Sequence, residues 1–205
     1  MPTRRLTLSL AAVLGVVSLT TAGGALAAQS DPAAARIESF DASLLDVMKG
    51  GAALGAKGRF HKLEPVVAAT FDIPLMTRVA VGPTWTTLGE ADRAALIKGF
   101  ARLSAASYAH NFDAFGGERF TIEAKVDTRG LDKIVQSHIV PAKGAPTALS
   151  YRMRAGPEGW KIVDVYYGAI SQLATRRSDF AAPLASGGAK GLIAHLDALS
   201  EKLLK

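Results

Sequence analysis

The sequence predicts an α+β domain: a curved antiparallel sheet of about four to five strands packed against helices around an apolar cavity. Three observations carry that prediction. Apolar residues recur at helical spacing through the first half of the chain and again after Ser171. Between them, from Phe120 to Tyr167, the apolar period shortens to two. The strands also follow one another without intervening helices, so they pair antiparallel and the helices segregate to one side. A curved antiparallel sheet closed by helices forms a cone that can hold an apolar interior open at one end.

The first residues read as a targeting segment. Arg4 and Arg5 precede an uncharged, mostly apolar run from Leu6 to Leu19, and Ala25-Leu26-Ala27 supplies the small residues of a cleavage site. The expected division is a cleaved signal peptide at 1–27 and a single domain at 28–205. The 205-residue chain has no cysteine, so a secreted form is held by packing alone. This excludes thiol catalysis and thiolate metal sites, and points to the periplasm of a bacterium. The net charge is +6, of which Arg4 and Arg5 contribute two. The remaining basic residues are scattered and form no stripe interleaved with aromatics, which excludes a nucleic-acid interface.

Asp31-Pro32 opens the first helix, with Ile37, Phe40, Leu44, Leu45 and Met48 on one face and Gly50-Gly51 as its stop. A glycine-rich link, 51–58, leads to a second helix carrying Leu63, Val66, Val67 and Phe71. Asp72-Ile73-Pro74 caps a third, ended by Gly82-Pro83. The longest helix is expected to begin at Thr87, where Thr87-Leu88-Gly89-Glu90 fits a capping box, and to carry Ile97, Phe100, Leu103, Ser104, Ser107 and Tyr108. Its small serines and alanines let a neighbour approach or leave space beside it. Strands follow at Phe120–Val126, Ile134–Val140, Leu149–Met153 and Trp160–Tyr167, the last two joined through Gly156-Pro157-Glu158-Gly159. Ser171 then caps a helix that runs to Gly187-Gly188, and a final helix carries Leu192, Ile193 and Leu196.

Arg177 stands out because it falls among Leu173, Phe180 and Leu184 on an apolar helix face, and a guanidinium there needs acceptors. It either pairs with an acid such as Asp164 or Glu123, tying helix to sheet, or meets an anionic head group at a cavity mouth. Tyr166-Tyr167 sets large amphipathic rings on both faces of a strand end, which suits a rim. The histidines, His61, His110, His138 and His195, lack metal-ligand spacing, and no cofactor is implied. Asp164 lies on an apolar strand. An NTF2-like cone can host an acid–base enzyme, and Asp164 with Tyr108 or Tyr151 would be its simplest residue set. Nothing in the sequence requires that they meet.

The closing third of the chain resembles the MlaC family of periplasmic lipid-binding shuttles, also called the toluene-tolerance auxiliary family. The residues that carry the resemblance are Gly159-Trp160, Val163-Asp164-Val165, Ser171, Arg177-Ser178, Phe180, Gly187-Gly188 and Gly191-Leu192-Ile193. Asp72, Gly82 and Trp85, then Phe100 and Tyr108, match the family's earlier pattern. Ala169 stands where the family usually has glycine, and Arg176 where it usually has tyrosine; the substitution at Arg176 makes a rim position charged and implies a departure from the family's ordinary phospholipid specificity. The extended front, Leu44-Leu45-Asp46-Val47-Met48 followed by Leu54-Gly55-Ala56-Lys57-Gly58-Arg59-Phe60, is similar to the hopanoid-associated HpnM branch.

The resemblance implies a monomeric periplasmic carrier, not an enzyme. It would move a membrane lipid, phospholipid or hopanoid, between an outer-membrane lipid complex and an inner-membrane lipid transporter. The expected apolar pocket lies between the sheet and the long helix, lined by Phe71, Met76, Phe100, Leu103, Tyr108, Tyr151, Met153 and Val165. Arg177 and Tyr167 are the candidates for head-group or structural contact. Two alternatives stay open: an enzyme of the same fold acting on an apolar substrate with Asp164 as acid–base, and a protein-binding adaptor whose interior is filled.

Overall fold

A computed structural model describes residues 31–205; the predicted signal peptide at 1–27 lies outside the described residues. The elements run α1 (Pro32–Thr70), α2 (Ile73–Val81), a short 3-10 turn (Gly82–Thr87), α3 (Glu90–Asn111), β1 (Arg119–Ile122), β2 (Asp127–Arg129), β3 (Asp132–Val140), β4 (Thr147–Gly156), β5 (Gly159–Tyr167), β6 (Ile170–Ser171) and α4 (Gln172–Leu203).

The helix ends follow their caps. The Asp31 carboxylate accepts from the Ala33 amide at 2.9 Å, Asp72 from Leu75 at 3.0 Å, and the Ser171 hydroxyl from Ala174 at 3.0 Å. The two expected front helices are the halves of α1, which breaks where Gly51 and Gly55 adopt positive φ of 44° and 60°. α4 breaks likewise at Gly188, φ 58°. The buried Arg59 holds the break in α1. Its Nε donates to the Ala109 carbonyl at 2.8 Å, and its Nη1 to the Gly51 carbonyl at 3.1 Å. One guanidinium thus satisfies a carbonyl at the α1 break and another near the end of α3.

The start of α3 differs from the expected capping box. Gly89 is the N-cap and no side chain caps it, while the Thr87 hydroxyl donates back to the Thr84 carbonyl at 2.9 Å. The 3-10 turn consumes Thr87, and Arg93 binds that turn instead, donating to the Trp85 and Thr86 carbonyls at 3.1 Å.

The strands form one curved, unclosed antiparallel sheet in the order β1-β3-β4-β5-β6, with β2 also on β3. The count is six because the first expected strand, Phe120–Val126, leaves the ladder after Ile122, the chain rejoins β3 at Asp127–Arg129 as β2, and Ile170–Ser171 adds β6 on β5. The Glu123 amide still donates to the Gln136 carbonyl at 3.0 Å across the gap. A register shift between Arg152 and Met153 bends the β4–β5 pair. Helices cover one face. The end of α1 is pinned to β5 by the Phe71–Ile162 bridge, with the Asp72 amide donating to the Ile162 carbonyl at 2.9 Å. Edge-on aromatic contacts join the layers: Phe40 lies 5.3 Å from Phe71, 5.1 Å from Tyr108 and 6.3 Å from Tyr151, ring centre to ring centre.

Candidate ligand cavity

A cavity of about 450 Å³ opens between α3, the first half of α4 and the inner face of β3–β5. That volume is in the range of small-molecule sites. The floor is built by alternation: Leu149 and Tyr151 on β4, Val165 and Tyr167 on β5, and Ile139 on β3 all point inward. Phe71, Met76, Phe100, Tyr108 and Phe112 complete the apolar wall.

The mouth has a different chemistry. Ser104, Ser107 and Asn111 recur at three- and four-residue intervals and so share one face of α3. Gln172 and Arg176, four apart on α4, face them across the opening. The Arg176 guanidinium reaches the Ser107 hydroxyl at 3.3 Å, spanning the two helices, and touches Asp179 at 3.5 Å. Tyr167 sits at the rim, 57% exposed, although its ring still lines the cavity. The cavity is therefore amphipathic, with a polar slit above an aromatic floor.

Of the pocket residues named from sequence, Phe71, Met76, Phe100, Tyr108, Tyr151 and Val165 line this space. Leu103 and Met153 are fully buried but sit in the packed core. Met153 shares a face with Tyr151, yet its partner across the ladder is Ile162, which the α1–α2 junction covers. None of the polar residues of the mouth was singled out for binding; two signals were legible, Arg176 as a departure from the family pattern and the serines of α3 as residues that leave space beside a helix.

Arg177 is not the buried arginine that its helical position suggested. It is exposed, and its guanidinium lies over Gly82, where an added Cβ would meet Nη2 at 3.4 Å. It pairs with neither Asp164 nor Glu123. Asp164 is instead committed to the β5–α4 corner. It accepts from the Val165 amide at 2.8 Å, the Ser171 hydroxyl at 2.7 Å and the Leu173 amide at 3.1 Å. Asp164 alternates to the opposite face of β5 from Val165 and Tyr167, so it does not line the cavity.

The carboxylate beside Tyr108 and Tyr151 is Asp41 of α1, only 3% exposed. The Ser137 hydroxyl donates to its Oδ2 at 3.3 Å, and among the described residues its Oδ1 has no partner. Burial raises its pKa to about 7, against the opposing pull of Ser137 and Tyr151. The same burial, with the Asp41 charge, pushes both phenols above their ordinary range. Among the described residues, no group of three or more histidine, aspartate or glutamate side chains is placed to hold a metal ion. No described helix is long and apolar enough to cross a membrane.

Comparison with known proteins adds two findings. The family model described as MlaC protein matches residues 38–198. Among solved structures, a phospholipid-binding protein from Ralstonia solanacearum, determined in complex with a phospholipid, superposes with a TM-score of 0.74 at 23% identity, covering 85% of this chain and all of that one. No curated protein matches.

Proposed function

The chain belongs to the MlaC family, and from that premise we propose that it is a periplasmic lipid carrier, secreted by removal of residues 1–27 and moving a membrane lipid between an outer-membrane lipid complex and an inner-membrane transporter. The observation that carries this reading is the amphipathic cavity. An apolar floor and wall, with Tyr151 below and Phe71, Phe100, Tyr108 and Phe112 beside it, lie beneath a polar slit of Ser104, Ser107, Asn111 and Gln172. Removing lipid tails from a bilayer into water costs ~0.8 kcal/mol per methylene, so roughly 20 kcal/mol or more for a two-tailed lipid. A soluble carrier must offset most of that by covering the tails while the head stays wet, and the layering of this cavity does both.

The fold shared with the phospholipid-bound Ralstonia protein supports the same reading. A filled interior, as an adaptor would have, is disfavoured by the open cavity. An enzyme built on Asp164 is disfavoured because that carboxylate is spent on the β5–α4 corner. The test is native mass spectrometry of protein purified without detergent, followed by incubation of delipidated protein with vesicles. The carrier reading expects a bound lipid mass that returns after the incubation. Apo protein in both samples would remove it.

A further inference from the structure

The residues lining the cavity include four neutral hydroxyl or amide side chains near its mouth, Ser104, Ser107, Asn111 and Gln172, yet among the described residues lining it only Arg176 is charged. None of the described residues lining the cavity is a carboxylate that would neutralise it. Its nearest acid, Asp179, is outside the cavity, 42% exposed and 3.5 Å away, a geometry worth little in water. Its other contact is a neutral hydroxyl, Ser107, at 3.3 Å. The guanidinium, one-third exposed, keeps most of its five donors for something else.

This charge matters most when the cavity is full. A ligand seated with its tails on the aromatic floor brings its head to the slit between α3 and α4, where it covers Arg176. A neutral head would strip water from the guanidinium and return no charge-matched acceptor, which is unfavourable. A phosphate group returns charge-assisted, bidentate hydrogen bonds through two of its oxygens, the strongest polar contacts available there. Asn111 and Gln172 lie on the same slit and can bind the remaining head-group oxygens.

We propose that Arg176 is a specificity-determining residue that recognises the phosphate of a lipid head group, so that the cavity selects phosphate-bearing lipids over neutral lipids with the same tails. This rests on the carrier reading and goes further than it, because a hydrocarbon floor alone would accept either class.

The test is a competition. Delipidated full chain is incubated with vesicles containing phosphatidylglycerol and diacylglycerol of identical acyl chains, re-isolated, and its bound lipids are counted by mass spectrometry. The expected preference for phosphatidylglycerol is on the order of tenfold, the size of one charge-assisted contact. Arg176→Gln should reduce that preference to within about twofold while still carrying lipid, and Arg176→Lys, a point charge without the fork, should keep part of it. An unchanged preference in Arg176→Gln overturns the inference, as does equal uptake of both lipids by the parent protein, which would leave the carrier reading intact. Uptake of neither lipid by the parent would overturn both. Calorimetry with inorganic phosphate separates a lipid head from a free anion. Arg176-dependent phosphate binding without any lipid preference would mean that the site serves the free ion, and would also overturn the proposal.

Discussion

Replacing Asp41 with asparagine should make the protein more stable, and increasingly so as pH rises. Asp41 lies under the cavity floor on α1, faced by Ser137 of β3, Tyr151 of β4 and Tyr108 of α3, with Glu38 one turn earlier on its own helix. Among the described residues no cation is placed to offset its charge, and Glu38 adds to it. Its folded pKa is about 7, against 3.8 for the ordinary side chain. A carboxyl with a raised folded pKa binds a proton in the native state that the unfolded chain has already released. Stability therefore falls as pH climbs through the interval between the two values, at about 1.4 kcal/mol per pH unit, and levels off above the folded pKa. The interval corresponds to a total loss on the order of 4 kcal/mol by mildly alkaline pH. Asparagine cannot ionise; it keeps an acceptor for the Ser137 hydroxyl, and the Tyr151 phenol oxygen is at hand for its amide. Urea unfolding of delipidated parent and Asp41→Asn across this pH range isolates the effect, because other titrating groups cancel in the difference. That difference should widen steadily above about pH 4 and plateau near pH 7. A difference that stays flat would show that Asp41 is ionised in the folded protein, and would refute the argument from burial.

Filling the cavity should abolish lipid uptake without unfolding the protein: Ser104→Trp, at the mouth on α3, is expected to lose the bound lipid mass by native mass spectrometry while its circular dichroism matches the parent. The two rival anchors of α4 should separate clearly in urea titrations. Asp164→Ala strands a hydroxyl and two amides at the β5–α4 corner and should cost about 3 kcal/mol, whereas the exposed Arg177→Ala should stay within about 0.5 kcal/mol. Arg59→Met should cost roughly 2–4 kcal/mol by the same titration, because it leaves the Gly51 and Ala109 carbonyls without their donor.

The local parts of this fold were legible because their causes are local. Asp31, Asp72 and Ser171 mark helix starts through contacts two or three residues away, and Gly82 and Gly188 mark stops through backbone freedom. Much of the cavity floor was legible too, since strand alternation and helical spacing placed Tyr151, Val165, Phe100 and Tyr108 inward. Non-local partners decided what was missed. Arg176 and Arg177 flank the Leu173–Phe180 ridge of α4 on opposite sides, and spacing cannot tell which flank meets the cavity. That depends on α3 lying beside Arg176 and Gly82 beside Arg177. Asp41 reads as an ordinary polar position on an amphipathic helix until Ser137, 96 residues away, closes over it. The same holds for Arg59, whose carbonyl partner Ala109 lies 50 residues on. Leu103 and Met153 have the right residue type and period, and only packing distinguishes a core position from a lining one.

In the proposed carrier, lipid tails occupy the space between the sheet and α3. A phospholipid bearing a photoreactive group on its acyl chain, taken up by the protein, irradiated and mapped by peptide mass spectrometry, tests that directly. The adducts should fall on peptides containing Phe71, Phe100, Tyr108 or Tyr151, and Ser104→Trp should remove them. Adducts concentrated instead on the shallow surface groove lined by Ala42, Val47, Lys62 and Val66 would contradict the claim.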